Sequence, residues 1–340
     1  MPLDIKSGTI ELAHGSGGRA MSQLIDQLFL PAFNNKYLNQ KNDQALVTIP
    51  GQRIVIATDS HVVSPLFFPG GDIGSLSVHG TINDVVMSGA KPLFLTAGFI
   101  LEEGFPLAEL QRIVLSMAEA AKNCQTPIVT GDTKVVEKGH GDGVYINTTG
   151  IGVVSNGLSL SPTNIQAGDK ILISGTIGDH GTTILASRQN MNFCSDLVSD
   201  SQALHDLVSV MVEAVPNIRC MRDPTRGGLG ATLNELSQSA KVGMILDETA
   251  IPVKETVTAI TELLGLDPMY MANEGKLVCI CPPQHSKSLL AVMRSHLKGS
   301  EAAIIGEVIE DEQQFVQLKT GFGGNRIIDW RYSDPLPRIC

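Results

Sequence analysis

The sequence predicts an α/β (α+β) protein of two domains, and three observations support this fold class. Strand-like runs of Val, Ile and Leu, bounded by Gly, Pro or Asp, recur in both halves of the 340 residues. Segments with apolar residues at helical spacing lie between these runs. The length suits two domains with a substantial core, and the mixture of elements indicates α/β or α+β packing in each half.

The N-terminal half contains a Gly-rich segment and a first domain. Residues 1–40 hold HGSGGR and the helical pattern MSQLIDQLFLPAF. Within residues 41–155 the expected strands are ALVTI, RIVIATD, PLFLTAGFIL, PIVTGD and VYINTTGIGVV. SLSVHGTINDVVMSGA predicts a buried helix that ends at Gly89, and LAELQRIVLSMAEAAKNC predicts a second helix.

A polar segment, SNGLSLSPTNIQAGD, separates this domain from a second one at residues 156–320. The expected strands there are KILISGTIG, KVGMILD, KLVCICP, AAIIGEVIE and FVQLKT. The expected helices are GTTILASRQN, the end of RDPTRGGLGATLNELSQSA, KETVTAITELLG and HSKSLLAVMRSHL. Residues 321–340 contain three glycines, two prolines and no sustained period, so we predict a flexible tail.

Composition excludes several classes of function. The net charge of −10 and the pI near 5.3 argue against nucleic-acid binding. No apolar run reaches the roughly 18 residues of a transmembrane helix, and the first residues lack a signal-peptide pattern. The six cysteines include no CxxC pair, and Cys279 and Cys281 are expected to be buried strand thiols. We expect a cytoplasmic protein with no membrane association.

Four aspartates follow apolar segments at positions where a strand or helix gives way to a polar turn. They are Asp43, Asp59, Asp84 and Asp132. Carboxylates at the ends of buried strands are rigidly held and open to a cleft, which suits Mg²⁺ with its oxygen ligands. A single Asp in such a position is often a turn former or a helix cap, but four together favour a metal site.

Gly-rich pieces could bring backbone N–H groups close to phosphates, although none matches the P-loop. DPTRGGLG is the most suggestive, because Arg226 precedes a glycine pair at the start of a helix. Each such cluster can also be an ordinary tight turn.

Three further residues are candidates for chemistry. In GDTK, Lys134 places an ammonium beside a possible metal ligand, unless it is a surface lysine. In ANEGKL, Glu274 precedes a buried strand and could act as a base, unless it is an exposed turn residue. Cys340 is the last residue, and the sixteen residues after Gly324 span at most about 50 Å, enough to reach a site in either domain. It is either a reactive thiol or an incidental terminal cysteine.

These motifs resemble those of the hydrogenase maturation family HypE, in the superfamily that includes aminoimidazole ribonucleotide synthetase. The resemblance runs essentially end to end. It is carried by HGSGGRAM, IATDSHVVSPLFFPGGDIGSLSVHGTINDVVMSGAKP, GDTKVVEKG, RDPTRGGLG, NEGKL and PRIC. It implies two α/β domains of the aminoimidazole ribonucleotide synthetase-like fold, of which the first binds ATP and pairs with its counterpart in a homodimer.

The resemblance also implies a reaction and its residues. A partner carbamoyltransferase, HypF, would load a carbamoyl group onto Cys340. The chain would then dehydrate it with ATP and Mg²⁺ to a thiocyanate, and the cyano group would pass to iron on a HypC–HypD scaffold for nickel–iron hydrogenase. The implied metal and phosphate ligands are Asp43, Asp59, Asp84 and Asp132. Asn83, Asp223 and Arg226 complete the implied ATP-binding set, and Glu274 with Lys134 are the candidate bases.

Two kinds of alternative remain. One is a related ATP-dependent synthetase or kinase. A selenophosphate synthetase, however, needs a cysteine near the N-terminal Gly-rich segment, and the first cysteine here is Cys124. A thiamine phosphate kinase has no use for a terminal thiol. The other alternative is a non-catalytic carrier of the carbamoyl group, against which the ATP-site residues argue.

Overall fold

The computed structural model describes residues 3–11, 14, 23–35, 53–189, 191, 197–215, 217–329 and 338–340. The strands are β1 (Arg53–His61), β2 (Phe67–Phe68), β3 (Gly71–Asp72), β4 (Lys91–Glu102), β5 (Ile128–Val136), β6 (Val144–Val154), β7 (Lys170–Ile173), β8 (Cys220–Arg222), β9 (Gly243–Asp247), β10 (Val278–Cys281), β11 (Ala303–Ile309), β12 (Val316–Lys319) and β13 (Asn325–Ile327). The helices are α1 (Leu30–Phe33), α2 (Ile73–Val86), α3 (Leu107–Asn123), α4 (Asp179–Arg188), α5 (His205–Ala214), α6 (Gly228–Ala240), α7 (Glu255–Leu263) and α8 (Pro283–Ser295). A π-helical turn, Ile25–Phe29, leads into α1.

The first half is built on a sheet with the strand order β1-β6-β4-β5. Strands β4 and β5 run parallel, and the other pairs are antiparallel. Side chains alternate between the two faces, so every second residue of β4 from Leu95 to Leu101 is buried in the core with α2 and α3. The opposite face has no helix of the described residues against it. Ile54, Ile56 and Ile100 are 50%, 68% and 45% exposed there.

Helix α2 is buried on almost every side, as the run of apolar residues predicts. Its first turn is closed by Asp72, whose carboxylate accepts hydrogen bonds from the N–H groups of Gly74 (2.7 Å) and Ser75 (3.2 Å). The Ser75 hydroxyl in turn accepts a hydrogen bond from the N–H of Asp72 (3.1 Å), which completes a capping box. The α-helix ends at Val86, earlier than predicted, and the chain then turns through Gly89.

The second half contains a sheet with the order β13-β12-β9-β11-β7-β10-β8. Its central strands are apolar throughout because both of their faces are covered, and Cys279 and Cys281 of β10 are fully buried free thiols, as predicted. Helix α5 and strand β8 were missed by the sequence analysis. Helix α4 begins earlier than expected, at Asp179.

Of residues 321–340, which the sequence predicts to be a flexible tail, the structure describes 321–329 and 338–340. The turn at Gly323, with φ +88°, returns the chain so that β13 pairs with β12. The last three residues are also placed, and Ile339 is 1% exposed. Residues 321–329 show no alternation of apolar and polar residues, because β13 has only three residues and lies at the edge of the sheet.

The two halves share one apolar core, which fixes the cleft between them. A continuous cluster of buried residues includes Ile82 of α2 in the first half and Leu207 of α5 in the second. Among the described ranges, no helix combines the length and apolarity that a bilayer crossing requires.

Candidate active site

The last residue of the chain lies between the two halves. A main-chain oxygen of Cys340 accepts a hydrogen bond from the N–H of Val62 in the first half (2.9 Å). Its Sγ accepts one from the guanidinium of Arg226 in the second half (3.6 Å). The structure therefore brings together two residues that the sequence analysis proposed from distant motifs.

The environment of this thiol suppresses its reactivity. Burial raises the pKa of the Cys340 thiol to about 12, and the carboxyl of Glu274 acts in the same direction, while Arg226 opposes them. The docked thiol is therefore protonated near neutral pH and is a poor nucleophile. This position therefore suits a Cys340 sulfur that received its acyl group before it docked in the cleft.

Carboxyl groups from four separate segments interact electrostatically around Cys340, and we call them the acidic cluster. They are Asp59 of β1, Asp84 of α2, Asp223 after β8 and Glu274 before β10. All four were candidates from the sequence. The fold assembles them because the end of β1 and one side of α2 face the loops that precede α6 and β10.

Glu274 is the most buried member of the acidic cluster. Its residue is 2% exposed, and its Oε1 atom has no hydrogen-bond partner among the described residues. Burial raises the pKa of Glu274 well above its usual range, and the charges of Asp200, Asp223, Asp59 and Asp84 raise it further. A buried carboxyl oxygen without a donor is unfavourable, so this atom is suited to receive a ligand or a proton.

Asp84 and Asp223 are perturbed in the same direction. Burial, followed by the charges of Asp223 and Asp59, raises the pKa of Asp84 to about 7, although Arg222 opposes the shift. Burial raises the pKa of Asp223 to about 6. Carboxyl groups that raise one another's pKa have too little positive charge around them.

The carboxyl groups of the acidic cluster are the candidate ligands of Mg²⁺. In the part of the chain that the structure describes, no three His, Cys, Asp or Glu side chains converge tightly enough to hold a metal ion unaided. Mg²⁺ in proteins commonly takes one or two carboxylates, several waters and the phosphate oxygens of a nucleotide. The acidic cluster offers only oxygen donors, and Arg222 only partly offsets their charge, so it fits Mg²⁺ that arrives with phosphates.

The start of α6 forms the second wall of the site. Gly227 and Gly228 have φ values of +79° and +63°, which glycine adopts without strain. A Cβ atom on Gly228 would lie 2.6 Å from the Met271 carbonyl oxygen, so no larger residue fits. The glycine pair thereby leaves the N–H groups of the helix N-terminus close to Arg226, an arrangement that favours anions.

Asn273 holds this wall in place, and the sequence analysis missed it. The side chain is fully buried. Its Oδ1 accepts a hydrogen bond from the N–H of Gly178 (2.7 Å), and its Nδ2 donates to the Pro224 carbonyl (2.8 Å). Asn273 thus ties the turn before α4 to the loop before α6. The available signal was its position directly before Glu274.

A second group of charged residues lies behind the acidic cluster, and we call it the lysine network: Asp179, Asp200, Lys254 and Lys276. Lys276 Nζ lies 3.1 Å from an Asp200 oxygen and 3.9 Å from an Asp179 oxygen. Although burial opposes ionisation of Asp200, the charge of Lys276 holds its pKa below the usual range. The sequence analysis did not identify this network.

Asn83 has a different role from the predicted contact with ATP. Its Nδ2 donates to the carbonyl oxygens of Gln202 (3.0 Å) and Glu274 (3.3 Å), and its Oδ1 accepts from the Leu204 N–H (2.8 Å). The side chain is 2% exposed. Asn83 therefore connects α2 to the second half and positions Glu274, and its predicted contact with ATP stays a prediction.

Asp132 and Lys134 lie apart from the acidic cluster within one chain. In the sheet, Asp59 lies opposite Thr148, whose side chain contacts α2. Asp132 lies opposite Gly98 and Asn147, one position further along the neighbouring strands. Adjacent rows of a sheet point to opposite faces, so Asp132 is on the face without a helix. Lys134 shares that face and binds Asp132 at 2.8 Å.

Asp43 and most of the HGSGGR segment lie outside the described residues, so their predicted contacts with metal and phosphate stay predictions.

Comparisons with known proteins identify the family of the chain. The family models described as AIR synthase related protein, N-terminal domain and C-terminal domain, match residues 41–154 and 166–319. The chain is 63% identical to the carbamoyl dehydratase HypE of Azotobacter vinelandii over 338 residues, 99% of each protein.

Solved structures are also similar. A crystal structure of the hydrogenase maturation protein HypE in complex with ATP superimposes with a TM-score of 0.94 at 47% identity, covering 97% of this chain and 99% of that one. A HypE–HypF complex contains a chain with a TM-score of 0.80 at 47% identity, covering 91% of this chain and 99% of that one.

Proposed function

This chain belongs to the HypE family of carbamoyl dehydratases, and from that membership we propose what it does. It uses ATP to dehydrate an S-carbamoyl group on its own Cys340 to an S-cyano group. The product is the source of the cyanide ligand of iron in nickel–iron hydrogenase maturation. The observation that carries the proposal is the position of the Cys340 sulfur. It is held by Arg226 and lies near Glu274, whose Oε1 atom has no hydrogen-bond partner among the described residues.

The reaction has to remove the oxygen of an amide, and this oxygen is a poor leaving group until it is phosphorylated. The carbamoyl oxygen attacks the γ-phosphorus of ATP, so an O–P bond forms and ADP leaves. Two protons leave the nitrogen, its electrons form the C≡N bond, and the C–O bond breaks to release phosphate. The balance is one S-carbamoyl group and one ATP giving one thiocyanate, ADP, phosphate and one proton.

Glu274 is the proposed proton acceptor. Burial in the acidic cluster and the neighbouring carboxylates raise the pKa of Glu274, which makes its carboxylate a stronger base. Its Oε1 atom has no hydrogen-bond partner among the described residues, and its carboxyl acts electrostatically on the Cys340 thiol. Arg226 and the N-terminus of α6 face the developing negative charge.

Asp59, Asp84 and Asp223 would hold Mg²⁺ together with the phosphates of ATP. The bound cation would neutralise charge on the transferring phosphoryl group. The support is the all-oxygen donor set and the raised pKa values of Asp84 and Asp223.

A homodimer formed through the first sheet is part of the proposal. The face without a helix exposes Ile54, Ile56 and Ile100, an unusual arrangement for a solvated sheet. Lys134 lies on this face, so its predicted role as a base beside Glu274 requires the dimer.

The dimer can be tested by sedimentation. Ile56→Lys should convert a dimer to a monomer, because it would bury an unpaired ammonium at the interface. Leu297→Lys, at a site 88% exposed outside the sheet, is the matched control and should stay dimeric. An unaltered chain that is monomeric at micromolar concentration contradicts the homodimer.

The partners follow from the same family. We propose that a HypF carbamoyltransferase loads Cys340 and that a HypC–HypD complex receives the cyano group, in the cytoplasm. The support for HypF is the solved complex of a related HypE with HypF.

Mass spectrometry of the C-terminal peptide tests the reaction. Carbamoyl-loaded chain should lose the mass of one water only when Mg-ATP is present, with one phosphate released per conversion. Cys340→Ala should abolish loading and retain ATP binding, whereas Cys124→Ala should load normally. Loss of water without ATP, or no loss with ATP, contradicts the dehydratase.

A further inference from the structure

Each of the last three residues is held by its own main-chain hydrogen bond. The pairs are Val62 N–H to Cys340 O (2.9 Å), Ser64 N–H to Arg338 O (3.1 Å) and His180 Nε2 to Ile339 O (2.7 Å). The main-chain oxygens of Arg338 and Cys340 accept from the N–H groups of Ser64 and Val62. This alternating pattern is typical of a peptide that adds as a strand beside an extended segment. The carbonyl between them points the other way, toward His180.

The tautomer of His180 is determined by its neighbours. A carbonyl oxygen can only accept, so Nε2 carries the hydrogen and donates to Ile339. Nδ1 then accepts from the hydroxyl of Ser199 (2.7 Å), which itself accepts from the Ser201 N–H (3.1 Å). Burial holds the pKa of His180 below its usual range, which keeps the ring neutral. His180 is therefore a fixed single donor aimed at the peptide.

Side-chain contacts add to this main-chain recognition. Ile339 is 1% exposed and belongs to the core cluster that spans both halves. The Arg188 guanidinium donates to the carbonyl oxygens of Ser64 (2.6 Å) and Arg338, and so joins the two paired segments. The Arg338 side chain pairs with Asp142 near the surface.

All of these contacts are made by residues 338–340 themselves, with one deeply buried apolar anchor. We propose that the cleft is a recognition site for a short peptide that ends in Ile–Cys, and that it dehydrates an S-carbamoyl cysteine supplied on such a peptide in trans. The isoleucine determines specificity, and His180 is the positioning residue that sets the register of the sulfur. This inference rests on the proposed function, and the reaction on the peptide has the same balance and the same co-reactant, ATP.

The test needs a full-length chain whose own end does not occupy the cleft. Ile339→Asp combined with Cys340→Ala provides it, because a carboxylate is not tolerated in the buried apolar position. Retained ATP binding reports that this variant is folded. The substrate is a synthetic peptide ending in Pro-Arg-Ile-Cys with the cysteine S-carbamoylated, and loss of one water is followed with phosphate release.

The peptide should be converted with saturation kinetics in the presence of Mg-ATP. A peptide with Ala in place of Ile should have a KM higher by roughly 10- to 100-fold, as expected for losing a fully buried Ile. A peptide with Gly in place of Arg should show a much smaller increase in KM. The Arg338 side chain makes an exposed contact, and its φ of +60° is one that Gly adopts freely.

His180 is tested in the same assay. His180→Ala in that background should raise the KM for the peptide and leave ATP binding unchanged, whereas His180→Gln, which retains an N–H donor, should restore part of the loss. Equal KM values for the Ile and Ala peptides would overturn the specificity claim.

The controls separate this inference from the proposed function. Unaltered chain carrying the carbamoyl group on its own Cys340 is assayed in parallel. If it loses water while no peptide is converted at any concentration, recognition in trans is wrong and the dehydratase stands. If neither is converted, the proposed function is wrong, and the inference falls with it.

Discussion

Two groups of carboxylates lie in the same cleft and behave in opposite ways. In the lysine network, Lys276 holds the pKa of Asp200 low despite complete burial. In the acidic cluster, no lysine is within ion-pair distance in the described residues, and burial raises the pKa of Asp223 to about 6. Asp200 and Asp223 are both buried aspartates, so the difference between their two pKa shifts is the counter-charge. A charge-balanced network stabilises the fold, whereas an unbalanced cluster is suited to bind a cation.

The largest expected effect removes the innermost carboxyl of the acidic cluster. Glu274→Gln should slow dehydration about 10²- to 10⁴-fold, the usual contribution of a general base, because the amide cannot take a proton. Binding of Mg-ATP, measured by calorimetry, should be retained. Glu213→Gln, an exposed position on α5, is the matched control. A Glu274→Gln chain with unchanged turnover would place the base elsewhere.

The lysine network is tested by removing its shared cation. Lys276→Met should lower the free energy of unfolding by about 3–5 kcal/mol, because Asp200 then remains buried without its lysine, whereas Asp179 keeps Lys254 at 2.9 Å. Urea denaturation measures this change, with the exposed Lys287→Met as control. A loss below about 1 kcal/mol would mean that the network does not stabilise the fold.

The free energy of unfolding should depend on pH with opposite signs for the two groups of carboxylates. Because folding raises the pKa of Asp223, its contribution to stability is present at low pH and is lost as pH rises through about 6. Asp223→Asn should therefore stabilise the nucleotide-free chain by up to about 3 kcal/mol at pH 8, with no gain at pH 4.

Asp200 gives the opposite sign. Its folded pKa is lowered, so its contribution is present above the unfolded pKa and is lost as pH falls. Asp200→Asn should destabilise the chain most at neutral pH and least in acid. Parallel pH profiles of unfolding for the two variants would contradict the distinction between the two groups.

The sequence predicted the fold class. Asp59 and Asp84 were candidates because Asp at the end of an apolar segment is a local signal, Glu274 because it precedes a buried strand, and Asp223 only through the family resemblance. It could not predict which face each Asp occupies. Asp59 and Asp132 both follow apolar runs, yet they point to opposite faces because their rows in the sheet differ by one residue. That difference depends on strand order and register, which are non-local.

The neighbours Asn83 and Asp84 illustrate a second limit. Consecutive helix residues point about 100° apart, so one enters the interface between the halves and the other faces the cleft. The lysine network and Asn273 were missed because their pairs join distant segments. The docking of residues 338–340 was missed for the same reason.

Proton release on binding tests the central claim most directly. Preformed Mg-ATP is titrated into the chain near pH 6.5 in buffers of different ionisation enthalpy, and the number of released protons is obtained from the heats. If the acidic cluster receives the cation, binding should release protons from Asp84 and Asp223, whose pKa values of about 7 and about 6 should fall. The Asp84→Asn, Asp223→Asn double variant should release fewer. Equal release by both chains, or none from the unaltered chain, would contradict the assignment of the cluster as the magnesium–nucleotide site.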